Sequence, residues 1–193
     1  LGARIAADLN VPVYFYEAAA RRPDRQRLEM VRRAGFEWLR DAVVTDPDLA
    51  PDLGPVQLHH SAGAVAVGAR KFLLAYNINL ATADVEIARA IARKIRASSG
   101  GLPCVKAKGV LLASRNLAQV TMNLTDFEVT PLHVVFEAVR AEAARMGVAI
   151  AGSEIIGLMP ARALAQCAGH YLHSETDAAR SVFETSLLPD LLD

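Results

Sequence analysis

From residue 68 onward the chain alternates between two hydrophobic periods, and this alternation constrains its fold more than any short motif does. A strand is predicted over residues 70–80. The run DVEIARAIARKIR that follows predicts a helix with Val85, Ala88, Ile91, Ala92 and Ile95 on one face, stopped by the SSGG at 98–101. Residues 104–114 and 117–125 read as two strands separated by Arg115 and Asn116, a gap suited to a hairpin. Thr130 is the expected N-cap of a second helix, with Pro131 in its first turn. Leu132, Val135, Phe136, Val139 and Met146 supply that helix with a buried stripe, and Gly147 ends it. Residues 148–156 give a fourth strand, and Pro160 opens a last helix running to about residue 172.

The order β-α-β-β-α-β, then α, predicts an α+β fold: a ferredoxin-like βαββαβ sandwich with an extra C-terminal helix. Two helices would cover one face of a four-stranded sheet and leave the other face free. Ahead of this unit, residues 1–10 read as an amphipathic helix with Ile5 and Leu9 four apart, and residues 11–16 as a strand. A basic loop, RRPDRQR, comes next. A helix over 28–39 is weakened by Gly35, and residues 45–63 hold three prolines and two glycines without periodicity, marking a linker or functional loop. Because the first residues lack Met and already follow a helical pattern, the chain is expected to be the later part of something longer.

Composition removes several classes of function. Twenty-one Lys and Arg balance twenty-one Asp and Glu among 193 residues, so bulk charge offers nothing to a nucleic-acid backbone or an anionic membrane. Cys104 and Cys167 are too few for a disulfide framework and lack CxxC spacing, which suits free thiols in the cytoplasm. No apolar run approaches the roughly 20 residues that cross a bilayer.

Side chains alternate across a strand, so each predicted strand divides into two faces. Phe72, Leu74, Tyr76 and Ile78 oppose Lys71, Asn77 and Asn79; Val105, Ala107, Gly109 and Leu111 oppose Lys106 and Lys108; Ala118, Val120, Met122 and Leu124 oppose Gln119, Thr121, Asn123 and Thr125. The fourth strand is ambiguous, because the adjacent Ser153 and Glu154 must point in opposite directions. With the apolar faces on the helices, the free face presents amides, hydroxyls and ammonium groups. Such a row suits a ligand that both donates and accepts hydrogen bonds, such as a pterin. The plainer reading is a solvated sheet face, but Asn is depleted in strands and three stand here.

Other motifs carry less. Ser153-Glu154 leads from a strand end into the Pro160 helix, where free backbone N–H groups meet polar ligands, although an ordinary turn reads the same way. His59 and His60 lie in the Pro/Gly-rich loop, placed either for acid–base work or simply on the surface. His170 and His173 are three apart but lack an evident third ligand, and no metal site is predicted. His133 reads as structural. Gly63 and Gly68 lack the GK[ST] ending of a phosphate loop.

Three blocks of sequence go further. GARKFLLAYNINL (68–80), NLAQVTMNLTDFEVTPLHVVFEAVRAEAARMGV (116–148) and GSEIIGLMPARAL (152–164) resemble the glutamate formiminotransferase family, in that family's order. LGARIAADLNVPVYFYEAAARRPDR resembles the end of its N-terminal α/β subdomain, so the similarity runs from residue 1 to about 171. The resemblance divides the chain into an N-terminal subdomain tail (1–53), a folate-contacting connection (54–67), the C-terminal subdomain (68–175) and a tail (176–193). It implies transfer of a formimino group from N-formiminoglutamate to tetrahydrofolate, a co-substrate, in histidine breakdown, with no metal and as a homodimer. Folate contacts would fall on Gly54, His59, His60, Ser61 and Gly63 in the connection, on Arg70 of the GAR motif as a carboxylate ligand, and on Asn77, Asn79, Gln119, Asn123 and Glu154 of the polar face. The family's catalytic histidine belongs to a motif that none of His59, His60, His133, His170 or His173 matches. The chain alone is therefore expected to supply mainly the folate-binding part and to be inactive. A formyl-transferring relative and a non-catalytic folate-binding or assembly module stay open on the same residues.

Overall fold

A computed structural model of the protein describes residues 1–33 and 35–182. It is a mixed α/β structure with two sheets and six α-helices among the described residues, divided into compact units Leu1–Arg70 and Lys71–Asp193.

In the first unit, α1 (Gly2–Leu9) leads into β1 (Val13–Glu17), which pairs in parallel with β2 (Val65–Ala69). The expected connection at 54–67 thus leads into β2, and the first compact unit runs to Arg70. Tyr16 stands opposite Gly68, where an added Cβ would lie 2.4 Å from the Tyr16 ring. Only a glycine lets that ring lie flat on the neighbouring strand. The helix expected over 28–39 is two pieces, α2 (Leu28–Val31) and α3 (Gly35–Ala42), broken where Gly35 adopts a φ of +77°.

The basic loop proves to be partly interior. Arg25 is 6% exposed; its guanidinium donates to Asp52 Oδ2 at 2.9 Å and to the carbonyls of Ala50 and Asp48 at 2.6 and 3.3 Å. Asp52 Oδ2 also accepts from the Phe15 amide at 2.7 Å, and Arg25 stacks 5.0 Å over the Tyr14 ring. A planar, multi-donor cation can satisfy a carboxylate and several carbonyls at once, which is what permits its burial.

The second unit holds β3 (Leu74–Leu80), α4 (Val85–Ile95), β4 (Val105–Leu112), β5 (Leu117–Leu124), α5 (Leu132–Arg145), β6 (Ile150–Ile156) and α6 (Ala161–Tyr171). Its sheet runs β4-β5-β3-β6, antiparallel at every pair. Asp84 caps α4 by accepting from the Glu86 amide at 2.9 Å, and Ala88, Ile91, Ala92 and Ile95 are buried as the helical period requires. They join Leu74, Ile78, Leu80, Val105, Val120, Met122, Leu124, Val135 and Val139 in one core, each of its Val, Leu, Ile and Met side chains contributing roughly 1.5–3 kcal/mol through burial. At Gly109 the α4 backbone comes so near that a Cβ would lie 2.2 Å from the Arg89 amide nitrogen.

Several local expectations are corrected. β3 begins at Leu74, and Phe72 is 75% exposed instead of sharing the core face. Thr130 is not the N-cap of α5: its hydroxyl donates to the Pro103 carbonyl at 2.6 Å, and Pro131 takes the cap position. Met146, the C-cap at the end of that stripe, is exposed. The turn joining β4 to β5 takes residues 113–116 rather than two, with Asn116 in the left-handed region at φ 51°. Of the expected tail 176–193, a short 3-10 turn at Ala178–Ser181 is described, and 183–193 lie outside the described residues. No helix among the described residues is long and apolar enough to cross a membrane.

Candidate functional site

Cross-strand register decides which side chains meet. Asn77 stands opposite Thr121 on β5 and Glu154 on β6, and Asn79 opposite Gln119 on β5 and Gly152 on β6. Because α4 and α5 cover the face carrying Leu74, Tyr76 and Ile78, these polar residues share the opposite face. The ambiguity at 153–154 resolves the same way: Glu154, opposite Asn77, joins the polar face, and Ser153, opposite Ile78, takes the helix side.

The polar face is not a row of independent amides. Gln119 Nε2 donates to Asn79 Oδ1 at 2.8 Å, and Asn79 Nδ2 donates to Glu154 Oε1 at 3.0 Å. Gln119 Nε2 also lies 3.5 Å from Glu154 Oε2. Asn79 and Gln119 are 2% and 4% exposed, so their hydrogen bonds are met within the cluster rather than by water. Arg115, in the turn between β4 and β5, donates to Glu154 Oε1 at 2.8 Å. Since β3 lies between β5 and β6, this bond ties the β4–β5 turn to the far edge strand of the sheet. The Asn79 hydrogen bond, then the hydrogen bond and charge of Arg115, then Asn77, hold the Glu154 carboxyl below the usual glutamate range. Asn123 sits exposed farther along β5, four residues from Gln119 and opposite Lys106. Sequence reasoning missed Arg115, which lies in a turn, outside the alternation used to sort the strands.

The residues expected in the connection lie in the first unit. His59 and Gly63 exchange backbone hydrogen bonds at 2.8 and 2.9 Å, closing a tight loop. His59 Nδ1 accepts from the Ser61 and Ala62 amides at 3.3 and 3.1 Å, which leaves its Nε2 as the donor nitrogen. His60 is exposed, its ring 4.6 Å from that of His59. Gly63 is buried at φ +66°, against the Phe36 ring, and Gly54 takes φ +88° with no room for a Cβ against the Val11 carbonyl. Both glycines thus serve backbone geometry. Arg70 already faces a carboxylate, with its Nε 3.9 Å from Glu17 Oε2, a buried oxygen without a hydrogen-bond partner.

A second titratable group lies between α5 and α6. His133 stacks on His170 with ring centroids 4.3 Å apart, and Tyr171 donates its hydroxyl to Glu137 at 2.8 Å. Burial, and then the neighbouring His170, push the His133 imidazole below its ordinary value, while burial and Glu137 push Tyr171 up to about 12. Among the described residues no group of three or more His, Cys, Asp or Glu is arranged to hold a metal. Two clefts lie away from the Glu154 cluster: one of about 810 Å³ beside Arg93, Gly101 and Arg145, and one of about 530 Å³ beside Tyr14, Arg25 and Trp38.

Comparison with known proteins bears on what this cluster serves. Residues 75–186 match a family model described as the formiminotransferase domain, and residues 1–70 match one described as its N-terminal subdomain. A glutamate formimidoyltransferase of Streptococcus pyogenes serotype M1 is 45% identical over 186 residues, covering 96% of this chain and 62% of that protein. Its counterpart in Thermoplasma acidophilum is 45% identical over 174 residues, covering 89% and 57%. The formimidoyltransferase-cyclodeaminase of Mus musculus is 43% identical over 180 residues, covering 90% and 33%. The chain thus spans less than two thirds of the length of these curated relatives.

Proposed function

This chain belongs to the formiminotransferase domain family, and on that premise we propose that it forms the folate-binding part of a glutamate formimidoyltransferase. The reaction moves a formimino group from N-formiminoglutamate to N5 of tetrahydrofolate. A carbon–nitrogen bond to N5 forms while the carbon–nitrogen bond to glutamate breaks, giving 5-formiminotetrahydrofolate and glutamate, a step in histidine degradation. The names of the relatives support the transfer, and the second unit supports the assignment of the folate to this chain. The βαββαβ order with strands arranged β4-β5-β3-β6 supports a ferredoxin-like sandwich whose free face is available to a ligand.

The observation that carries the proposal is the hydrogen-bonded Asn79, Gln119 and Glu154 on three adjacent strands of that face. A pterin ring has alternating donors and acceptors along one edge, and fixed polar groups beside it provide binding and orientation, which bring the reacting nitrogen to the formimino carbon. Within the first unit, Arg70 is proposed as a ligand of a carboxylate and the 54–63 loop as a folate contact. No side chain of this chain is assigned the proton-transfer step. Calorimetric titration of the complete protein with tetrahydrofolate, under anaerobic conditions, tests the reading. Saturable one-site binding is expected, and absence of heat at millimolar ligand overturns it.

A further inference from the structure

We propose that Glu154 is the specificity-determining acceptor of the polar face: gripped at Oε1 by Asn79 and Arg115, it accepts through Oε2 from the 2-amino group on the edge of a 2-aminopyrimidinone ring. Arg115 is its positioning residue. The inference rests on the folate reading above and narrows it to one carboxylate and one edge of the ligand.

Two features of the cluster separate Glu154 from its neighbours. Asn79 is committed through both ends of its amide, accepting from Gln119 and donating to Glu154, whereas the Glu154 side chain remains 36% exposed on an edge strand. Its two oxygens are also unequally used. Oε1 takes Asn79 at 3.0 Å and Arg115 at 2.8 Å, while Gln119 stands 3.5 Å from Oε2, at the limit of a hydrogen bond. An ionised carboxylate accepts at about four lone-pair positions, so Oε2 retains capacity toward a ligand while Oε1 is held still.

The charge balance selects among ligands. Two components of the proposed reaction carry an N–C–N donor pair: the formimino end of the donor, cationic as an amidinium, and the 2-amino and ring N–H edge of the pterin, which is neutral. Arg115 already offsets the Glu154 charge at 2.8 Å, so an incoming cation meets a compensated pair and the adjacent guanidinium. A neutral amino donor meets Oε2 without that repulsion. The ring edge is therefore the better match. Fixing Oε1 by two donors also removes the rotational freedom that ligand binding would otherwise have to quench.

The test compares wild type, Glu154→Gln and Arg115→Met in the complete protein, with tetrahydrofolate and with its analogue in which a methyl replaces the 2-amino group. Glu154→Gln keeps an oxygen for Asn79 and Arg115 but turns an NH2 toward the ligand. Wild type is expected to prefer tetrahydrofolate over the analogue at least tenfold, and Glu154→Gln to lose at least tenfold in tetrahydrofolate affinity together with that preference. The KM for N-formiminoglutamate is expected to stay within twofold. For Arg115→Met, the acid limb of tetrahydrofolate binding is expected to move to higher pH relative to wild type with the same ligand, because the guanidinium that holds Glu154 ionised is gone; Arg115→Lys should restore part of it. A merely structural Arg115 would lower stability without moving that limb. Equal tetrahydrofolate binding by wild type and Glu154→Gln overturns this proposal and leaves the folate reading standing, as does a raised donor KM with unchanged folate affinity. Failure of wild type to bind tetrahydrofolate overturns the folate reading itself.

Discussion

Gln119 Nε2 lies 2.8 Å from Asn79 Oδ1, across the pairing of β5 with β3, and this bond joins two buried amides that alternation alone assigned to an open surface. It makes the polar face a connected unit. Asn79 can donate to Glu154 because its carbonyl end is already turned toward Gln119.

Asn79→Ala is expected to cost about 1–3 kcal/mol, because it strands the buried Gln119 donor and removes a donor from Glu154. Asn123→Ala, on the same face of the sheet but exposed, is expected to stay within about 0.5 kcal/mol of wild type. Urea denaturation midpoints of the two variants check the contrast, and equal shifts would mean that the amide bond carries no stability.

The buried Arg25 and Asp52 pair offers a test confined to the first unit. Arg25→Met leaves a carboxylate with a 4% exposed side chain lacking its cation, at an expected cost of about 3–5 kcal/mol. Trp38, the single tryptophan, lies in the same unit and reports its unfolding by fluorescence. A Trp38 transition unchanged from wild type would rule out this role for the pair.

Two glycines in strands of the second unit should respond in opposite directions. Gly109→Ala places a methyl 2.2 Å from the Arg89 amide nitrogen, and overpacking of α4 is expected to cost about 1–3 kcal/mol. Gly152→Ala meets nothing within 4 Å and is expected to gain about 0.5–1 kcal/mol from reduced freedom of the unfolded chain. Thermal melts of both variants provide the comparison.

The His133 and His170 stack predicts an acid-side loss of stability. His133 titrates below its ordinary value of 6.5 in the folded chain, chiefly through burial, so the unfolded chain binds the extra proton first. Its contribution is present above that ordinary value and is lost as pH falls through it toward the folded value. Glu137 opposes the shift, but burial and His170 outweigh it. His133→Phe is expected to reduce the difference in urea midpoint between pH 7.5 and pH 5.5, and an unchanged difference would show that other groups set the acid limb.

Local periodicity carried much of the second unit. The stripe Ala88, Ile91, Ala92 and Ile95 and the alternation Ala118, Val120, Met122 and Leu124 are buried as their spacing demands, since both depend only on neighbours a few residues apart. Phe72, Met146 and Leu111 depart from those patterns at or near strand and helix ends, where the element stops before its period does. The face of Glu154 stayed open in the sequence, because two adjacent polar residues satisfy either alternation.

The chain's own text therefore determined element types, the two faces of each central strand, and, through three long blocks in order, the family. Tertiary structure decided which polar residues touch: Arg115 across β3 to Glu154, Asn79 against Gln119, Arg25 buried on Asp52, and β2 beside β1. Those contacts join residues 27 to 52 positions apart, and register and turn geometry, not residue type, bring such partners within hydrogen-bond reach.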